Sequence, residues 1–309
     1  MVRDLGQRGG TVSSIQSLCF PTLSAARWAV VILAACIIAP ASLFVHDFML
    51  DWLRVPYPKV VGLPVWATAL MLIVKLLAIV VFCQLALPQL KRASPPVVAC
   101  AIGILVLMLH ETGRVIVIEH SIFNNWSVAI LDGAAAAISI FLEVSIVVYA
   151  FLKGARWRVM LAVIAIVTVI GAVLVSPWLA GQFDSLRNVH YGDIKEIYKD
   201  PYPSSVNVVI YTAFIEPTVA TFVLAALCWN GLPGNGIRRI CAFTTLVLLI
   251  RGRFILEMVF SFWVRQPLPT AFLATGQFFL ETMVLGILVG TTWALLRPRR
   301  TKSPLPIRG

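Results

Sequence analysis

Eight stretches of this chain, at about 28–48, 62–87, 96–119, 128–152, 157–180, 206–229, 240–263 and 270–296, are each long and mostly apolar. The hydrocarbon core of a bilayer is about 30 Å thick and takes roughly 20 helical residues per crossing. Runs of this length without strand-type alternation fit no β-barrel, so the backbone must satisfy itself as α-helix. The composition agrees, with 60% hydrophobic and only 13% charged residues and a mean hydropathy of +0.91. The run that begins at Trp28 is too long for a signal-peptide core and reads as the first span.

The eight spans read as one four-helix unit written twice. Arg27-Trp28 returns as Arg156-Trp157, Pro56-Tyr57-Pro58 as Pro201-Tyr202-Pro203, and Cys83 to Pro88 as Cys228 to Pro233. Cys100-Ala101 matches Cys241-Ala242, Gly113-Arg114 matches Gly252-Arg253, and Phe141-Leu142-Glu143 matches Phe279-Leu280-Glu281. Between Pro56–Pro88 and Pro201–Pro233, eight of 33 ungapped positions are identical, Pro, Tyr and Cys among them, which chance alignment of apolar segments does not favour. Four spans per unit is an even number, so the two units enter the membrane in the same direction as parallel repeats.

Charge orients the bundle. Fifteen Lys and Arg fall in the termini and in the loops around residues 91–92, 153–158 and 238–239, against six in the alternate loops. By the positive-inside rule both termini are cytoplasmic and the membrane is the cell inner membrane. This asymmetry also accounts for the net charge of +11 without nucleic acid, which would need basic residues interleaved with aromatics on a folded face. The expected organisation is a cytoplasmic segment at 1–26, a first repeat at 27–153, a second at 156–297, and a basic tail at 298–309. The second repeat carries a periplasmic insertion at about 181–205, whose spacing predicts a short amphipathic helix on the outer leaflet. Leu87-Pro88 and Leu232 to Gly236 are expected to end helices.

Charged side chains inside spans are the functional candidates, since each costs at least about 2.5–3.5 kcal/mol to insert. The repeat singles out Arg114 with Glu143 and Arg253 with Glu281, each pair expected near mid-membrane on adjacent antiparallel helices. Around them lie His110, Glu111, Arg251, Glu257, Glu216 and Lys75. His110, Glu111 and Arg114 share one helix face, Arg253 and Glu257 are i,i+4, and Glu216 precedes Pro217 inside a span. A Lys75–Glu216 contact across the repeats is a further option. Structurally, such pairs fix helix register; functionally, the arginines could receive an anionic group.

Other chemistry is thinly supported. His110-Glu111 continues as Thr112-Gly113-Arg114, without the second His of a zinc protease motif. The six cysteines show no metal-ligand spacing, and no P-loop, nucleophile elbow or matched haem histidines occur, so no cofactor is expected. The sequence favours an all-α, eight-span membrane protein that carries a small solute, anionic or proton-coupled, at the repeat interface. A membrane enzyme acting on a lipid-linked substrate, with His110 or Glu111 as general base, is the second reading. A non-catalytic membrane subunit or assembly factor is the third, and the oligomeric state is left open.

Overall fold

The computed structural model describes residues 25–58, 64–179, 181–182, 204–253 and 259–296, and nearly all of these are helical. In chain order the helices are α1 (Ala25–Asp47), α2 (Val65–Leu90), α3 (Pro95–Leu109), α4 (Thr112–Phe123), α5 (Trp126–Leu152), α6 (Trp157–Val169), α7 (Ser204–Ala213), α8 (Ile215–Cys228), α9 (Ile237–Ile250) and α10 (Leu268–Leu296). π-helical turns extend α1 through Phe48–Trp52 and α6 through Ile170–Val175. Six helical segments are long and apolar enough to cross a membrane, and α3 with α4 makes a seventh when this pair, bent by 47°, is taken as one span.

Local signals explain most helix ends. Ser94-Pro95-Pro96 opens α3 with proline where no N–H partner is needed. Asn125 caps α5, its side-chain oxygen accepting from the N–H groups of Ser127 (2.9 Å) and Val128 (3.3 Å). Gly154 (φ +78°) closes α5, and Gly234 and Gly236 (φ +76° and +50°) turn the chain between α8 and α9.

Three expectations change. Pro88 does not end its helix but sits inside α2, which runs on to Leu90; only the last turn lies beyond it, so the cost of the missing N–H stays local. The seventh expected span, 240–263, is one helix only over Ile237–Ile250, after which Arg251-Gly252 breaks it; residues 254–258, including Glu257, lie outside the described ones. Residues 96–119 form two helices joined at His110-Glu111 rather than one. The predicted amphipathic helix within 181–205 also lies outside the described residues, apart from the short ends at 181–182 and 204–205.

Helices α2 and α8 form the centre of the bundle. α2 packs on α5, α6, α9 and α8, while α8 packs on α10, α1, α3 and α2. Their contact is close: a Cβ on Gly231, just past α8, would lie 2.4 Å from the Leu85 carbonyl oxygen. Gln89 Nε2 donates to the Ala226 carbonyl at 3.4 Å in the same region. Small residues at such a crossing let backbones approach and gain dispersion energy, which replaces the hydrophobic effect inside lipid. The core there includes Leu76, Ile79, Phe82 and Cys83 of α2 with Ala220, Leu224, Ala225 and Cys228 of α8. The outer faces, with Ile32, Leu33, Ile37, Trp157, Ile166 and Leu174 exposed, are apolar and suit a lipid surround.

Candidate functional site

Three helix breaks meet in the interior of this bundle. In the first, α3 ends at Leu109, and Glu111 adopts a left-handed backbone (φ 62°, ψ 29°) before α4 starts at Thr112. A non-glycine residue is uncommon in that region and is kept there only by surrounding contacts. Here the Glu111 carboxylate supplies them, one oxygen bonding Arg114 Nη1 and the other Arg251 Nη2.

The second break follows α9, where Gly252 takes the positive φ of +69°. Its freed Ile250 carbonyl accepts from His110 Nε2 at 3.1 Å. A carbonyl can only accept, so the proton of neutral His110 sits on Nε2. The break after α3 and the break after α9 therefore hold each other, through His110 to Ile250 and through Glu111 to Arg251.

The third break lies at Phe214, between α7 and α8. Pro217 has no N–H for the carbonyl four residues before it, which frees the Ala213 oxygen and interrupts the helix at the single residue Phe214, within one apolar segment that runs over Val206–Cys228. Phe214 is fully buried, with the Arg114 guanidinium carbon 4.9 Å and that of Arg251 6.0 Å from its ring centroid. Both distances lie in cation–π range. Just beyond, the Glu216 carboxylate accepts from the backbone N–H of Gly113 (3.1 Å) and from that of Arg114. Those N–H groups belong to the first turn of α4, where the helix dipole favours negative charge.

Two further glutamates complete the polar interior. Glu281 on α10 lies 3.8 Å from Arg251 Nη2 and 3.9 Å from His46 Nδ1. His46 packs between Phe278 (4.9 Å) and Tyr57 (5.7 Å), and the Arg253 guanidinium stands 5.0 Å over the Phe278 ring. Tyr57 is 58% exposed, so this aromatic group leads from the buried charges to the surface. Glu143 on α5 pairs with Lys75 of α2 at 3.7 Å, both buried. Gly171, in the π-helical turn after α6, makes room for it, since a Cβ there would lie 2.5 Å from Glu143 Oε1.

The structure thus gathers Arg114, Glu111, Arg251, His110, Glu216 and Glu281 around one centre and sets Lys75 with Glu143 on its α2–α5 side. The expected pairing of Arg114 with Glu143 is replaced by Arg114–Glu111 and Lys75–Glu143. The physical reason is the azimuth of α5, whose Glu143 face meets α2 and the turn after α6. The Lys75–Glu216 option is likewise displaced, because Glu216 is taken by backbone N–H groups and Lys75 by Glu143. His46 is the participant that sequence reasoning missed; it has no counterpart in the second half, and a search for recurring charges passes over it. Among the described residues no group of three or more His, Cys, Asp or Glu could hold a metal. No protein-family model matches this chain, and neither a curated protein nor a solved structure does.

Proposed function

We propose that this is an inner-membrane transporter for a small anionic solute, built from two parallel four-span repeats with a site where the broken helices meet. The observation that carries the reading is the convergence of three interrupted helices on Arg114, Arg251 and Glu111. Breaks inside a span free backbone groups that lipid cannot satisfy, so they persist where they line a polar site. Arginines that already hold carboxylates have the geometry to hold a carboxylate or phosphate of a ligand.

Two lines of support favour the duplicated, eight-span architecture. The principal packed helix pairs map onto one another when the spans of the first half are exchanged with those of the second. α2 against α5, α6 and α9 becomes α8 against α10, α1 and α3; α5 with α6 becomes α10 with α1; α2 with α8 maps to itself. Contacts at the two ends of the stretch 240–263 support a crossing there. α9 starts beside the end of α10, with Ile240 near Gly290, while Trp263 packs edge-to-face on Trp66 at the start of α2, 5.4 Å between centroids. The positive-inside count then sets both termini in the cytoplasm. Reporter fusions after Arg92, Arg158 and Arg239 should all read cytoplasm, and a periplasmic signal from any of them removes this topology.

The enzyme reading loses ground at Glu111, whose carboxylate is engaged by two arginines, whereas His110 keeps Nδ1 as its basic nitrogen while Nε2–H donates to the Ile250 carbonyl. A general base needs access to the proton it removes.

Purified protein in proteoliposomes should accumulate at least one labelled organic or inorganic anion from a broad panel, above protein-free vesicles. Arg114→Gln should lower that uptake about 10-fold or more, the scale expected for losing a charge-assisted hydrogen bond. Gel filtration checks that the variant stays folded. Absence of flux for every anion counts against transport.

A further inference from the structure

We infer that the ligand is a carboxylate, that it takes the seat now held by Glu216, and that a proton on Glu216 is the ion coupled to it. This rests on the transport reading above and gives that site its substrate class. The seat has the shape of a carboxylate. Two consecutive backbone N–H groups at the start of the twelve-residue helix α4 each meet one oxygen, Gly113 N–H on Oε1 and Arg114 N–H on Oε2. Gly113 is what lets the acid come so close, because a Cβ there would stand 3.0–3.1 Å from the carboxyl carbon and both oxygens.

Unused donors lie in the same buried cluster, on the two arginines that hold Glu111 and flank Phe214. The Arg251 side chain is 2% exposed, and while its Nη2 holds Glu111, the residue that caps α4, its Nη1 has no partner. Arg114 Nε, on the first turn of the same helix, has none either. Buried donors are nearly always satisfied, so two orphaned guanidinium N–H groups in the cluster that holds this seat point to a further acceptor.

Among the described residues the seat occurs once. The position in the first half that matches Glu216 is Met71, and Met71 Cγ lies 3.4 Å from the Cβ position of Gly252, as Glu216 lies against Gly113. The two halves therefore share the packing, and one of them alone carries the acid. A pseudo-symmetric centre made asymmetric in this way suits a single carboxylate.

Exchange requires a proton. Two carboxylates cannot share one pair of N–H donors in a poorly solvated interior, where like charges repel strongly. If Glu216 left as an anion, it would carry a charge away from both N–H groups and from Arg114. If it takes up a proton that enters from bulk solvent together with the ligand, it leaves neutral, and the incoming carboxylate replaces the charge that was lost. The net charge of the site is the same before and after. The other charged groups around it, Glu111, Arg251 and Glu281, keep their mutual pairs, and Lys75 keeps Glu143.

Propionate labelled with carbon-13 at its carboxyl is a suitable probe, added to the full chain in phosphatidylethanolamine–phosphatidylglycerol vesicles. Infrared difference spectra should show a new carboxylic-acid C=O band that does not move with the label, and a proton taken up with each propionate. Both should vanish in Glu216→Gln, whose single amide oxygen can still accept from one of the two N–H groups. Glu216→Asp, which keeps an acid, should retain a band at a shifted frequency and so guards against a folding artefact. Propionate bound without a new acid band, or the same band in Glu216→Gln, overturns the exchange. Failure to bind propionate overturns the carboxylate assignment, and uptake of a different solute would then leave transport itself standing.

Discussion

Glu111→Ala should destabilise the folded protein by about 3–5 kcal/mol, the scale for removing one partner of a buried ion pair. This carboxylate neutralises two guanidinium groups at once, and the Arg251 side chain it holds is 2% exposed. Its loss leaves both cations facing poorly solvated surroundings, with Glu281 as the next carboxylate to Arg251, at 3.8 Å. The left-handed backbone at 111 costs alanine roughly the same 1–2 kcal/mol that it already costs glutamate, so it adds nothing to this difference. Glu111→Gly removes that backbone cost while still deleting the charge, so the difference between the two variants isolates the strain. Thermal unfolding in detergent, followed by gel filtration, should rank wild type above Glu111→Gly and Glu111→Ala lowest. Glu111→Ala with Arg251→Met should recover part of the loss, since one stranded cation is removed with its partner. A midpoint for Glu111→Ala no lower than that of the lipid-facing control Ile37→Ala would show that Glu111 does not hold the breaks together.

The same residue shows where sequence reading ends. Seven of the eight apolar stretches correspond to helices long and apolar enough to cross a membrane or to a bent pair, because length and hydropathy are summed over some twenty residues and tolerate local error. The break at His110-Glu111 is invisible to that sum. Neither residue is a helix breaker, and what bends the chain is a pair of guanidinium groups, one of them 140 residues away in Arg251. The break at Arg251-Gly252 carried a local sign, a glycine before an arginine, yet Gly113 also precedes an arginine and there the glycine lies inside α4.

The candidate residues were legible for a related reason. Charges in apolar runs are costly, so Lys75, Glu111, Arg114, Glu143, Glu216, Arg251 and Glu281 stood out from sequence. Their partners did not, since matching depth along two helices says nothing of rotation about them. Arg114 and Glu143 share a depth by residue count, but α5 turns Glu143 toward α2. Glu216 could not be assigned a partner from side-chain chemistry because its partners are backbone N–H groups exposed by a break elsewhere.

Lys75 and Glu143 give the second large effect and a cleaner separation of structure from function. Their side chains are 8% and 9% exposed, they lie 3.7 Å apart, and they sit beside the central site rather than at the helix breaks. Lys75→Met should leave Glu143 as an isolated buried carboxylate and cost about 3–5 kcal/mol, and Glu143→Leu should strand Lys75 at a similar cost. The double variant Lys75→Met/Glu143→Leu replaces both charges by apolar groups of comparable bulk and should return close to wild-type stability, because exchanging a whole buried pair for hydrophobic contacts is often neutral. Gly171 remains as the clearance beside position 143, so the double variant has room for the leucine. A thermodynamic cycle on the four proteins should therefore give a coupling of several kcal/mol, well above the 0.5 kcal/mol or so within which distant sites are additive. If the double variant is as unstable as either single one, the pair is not a self-contained structural unit. If its stability returns while anion uptake is lost, Lys75 or Glu143 takes part in transport, and the polar path extends from the broken helices to the α2–α5 side of the bundle.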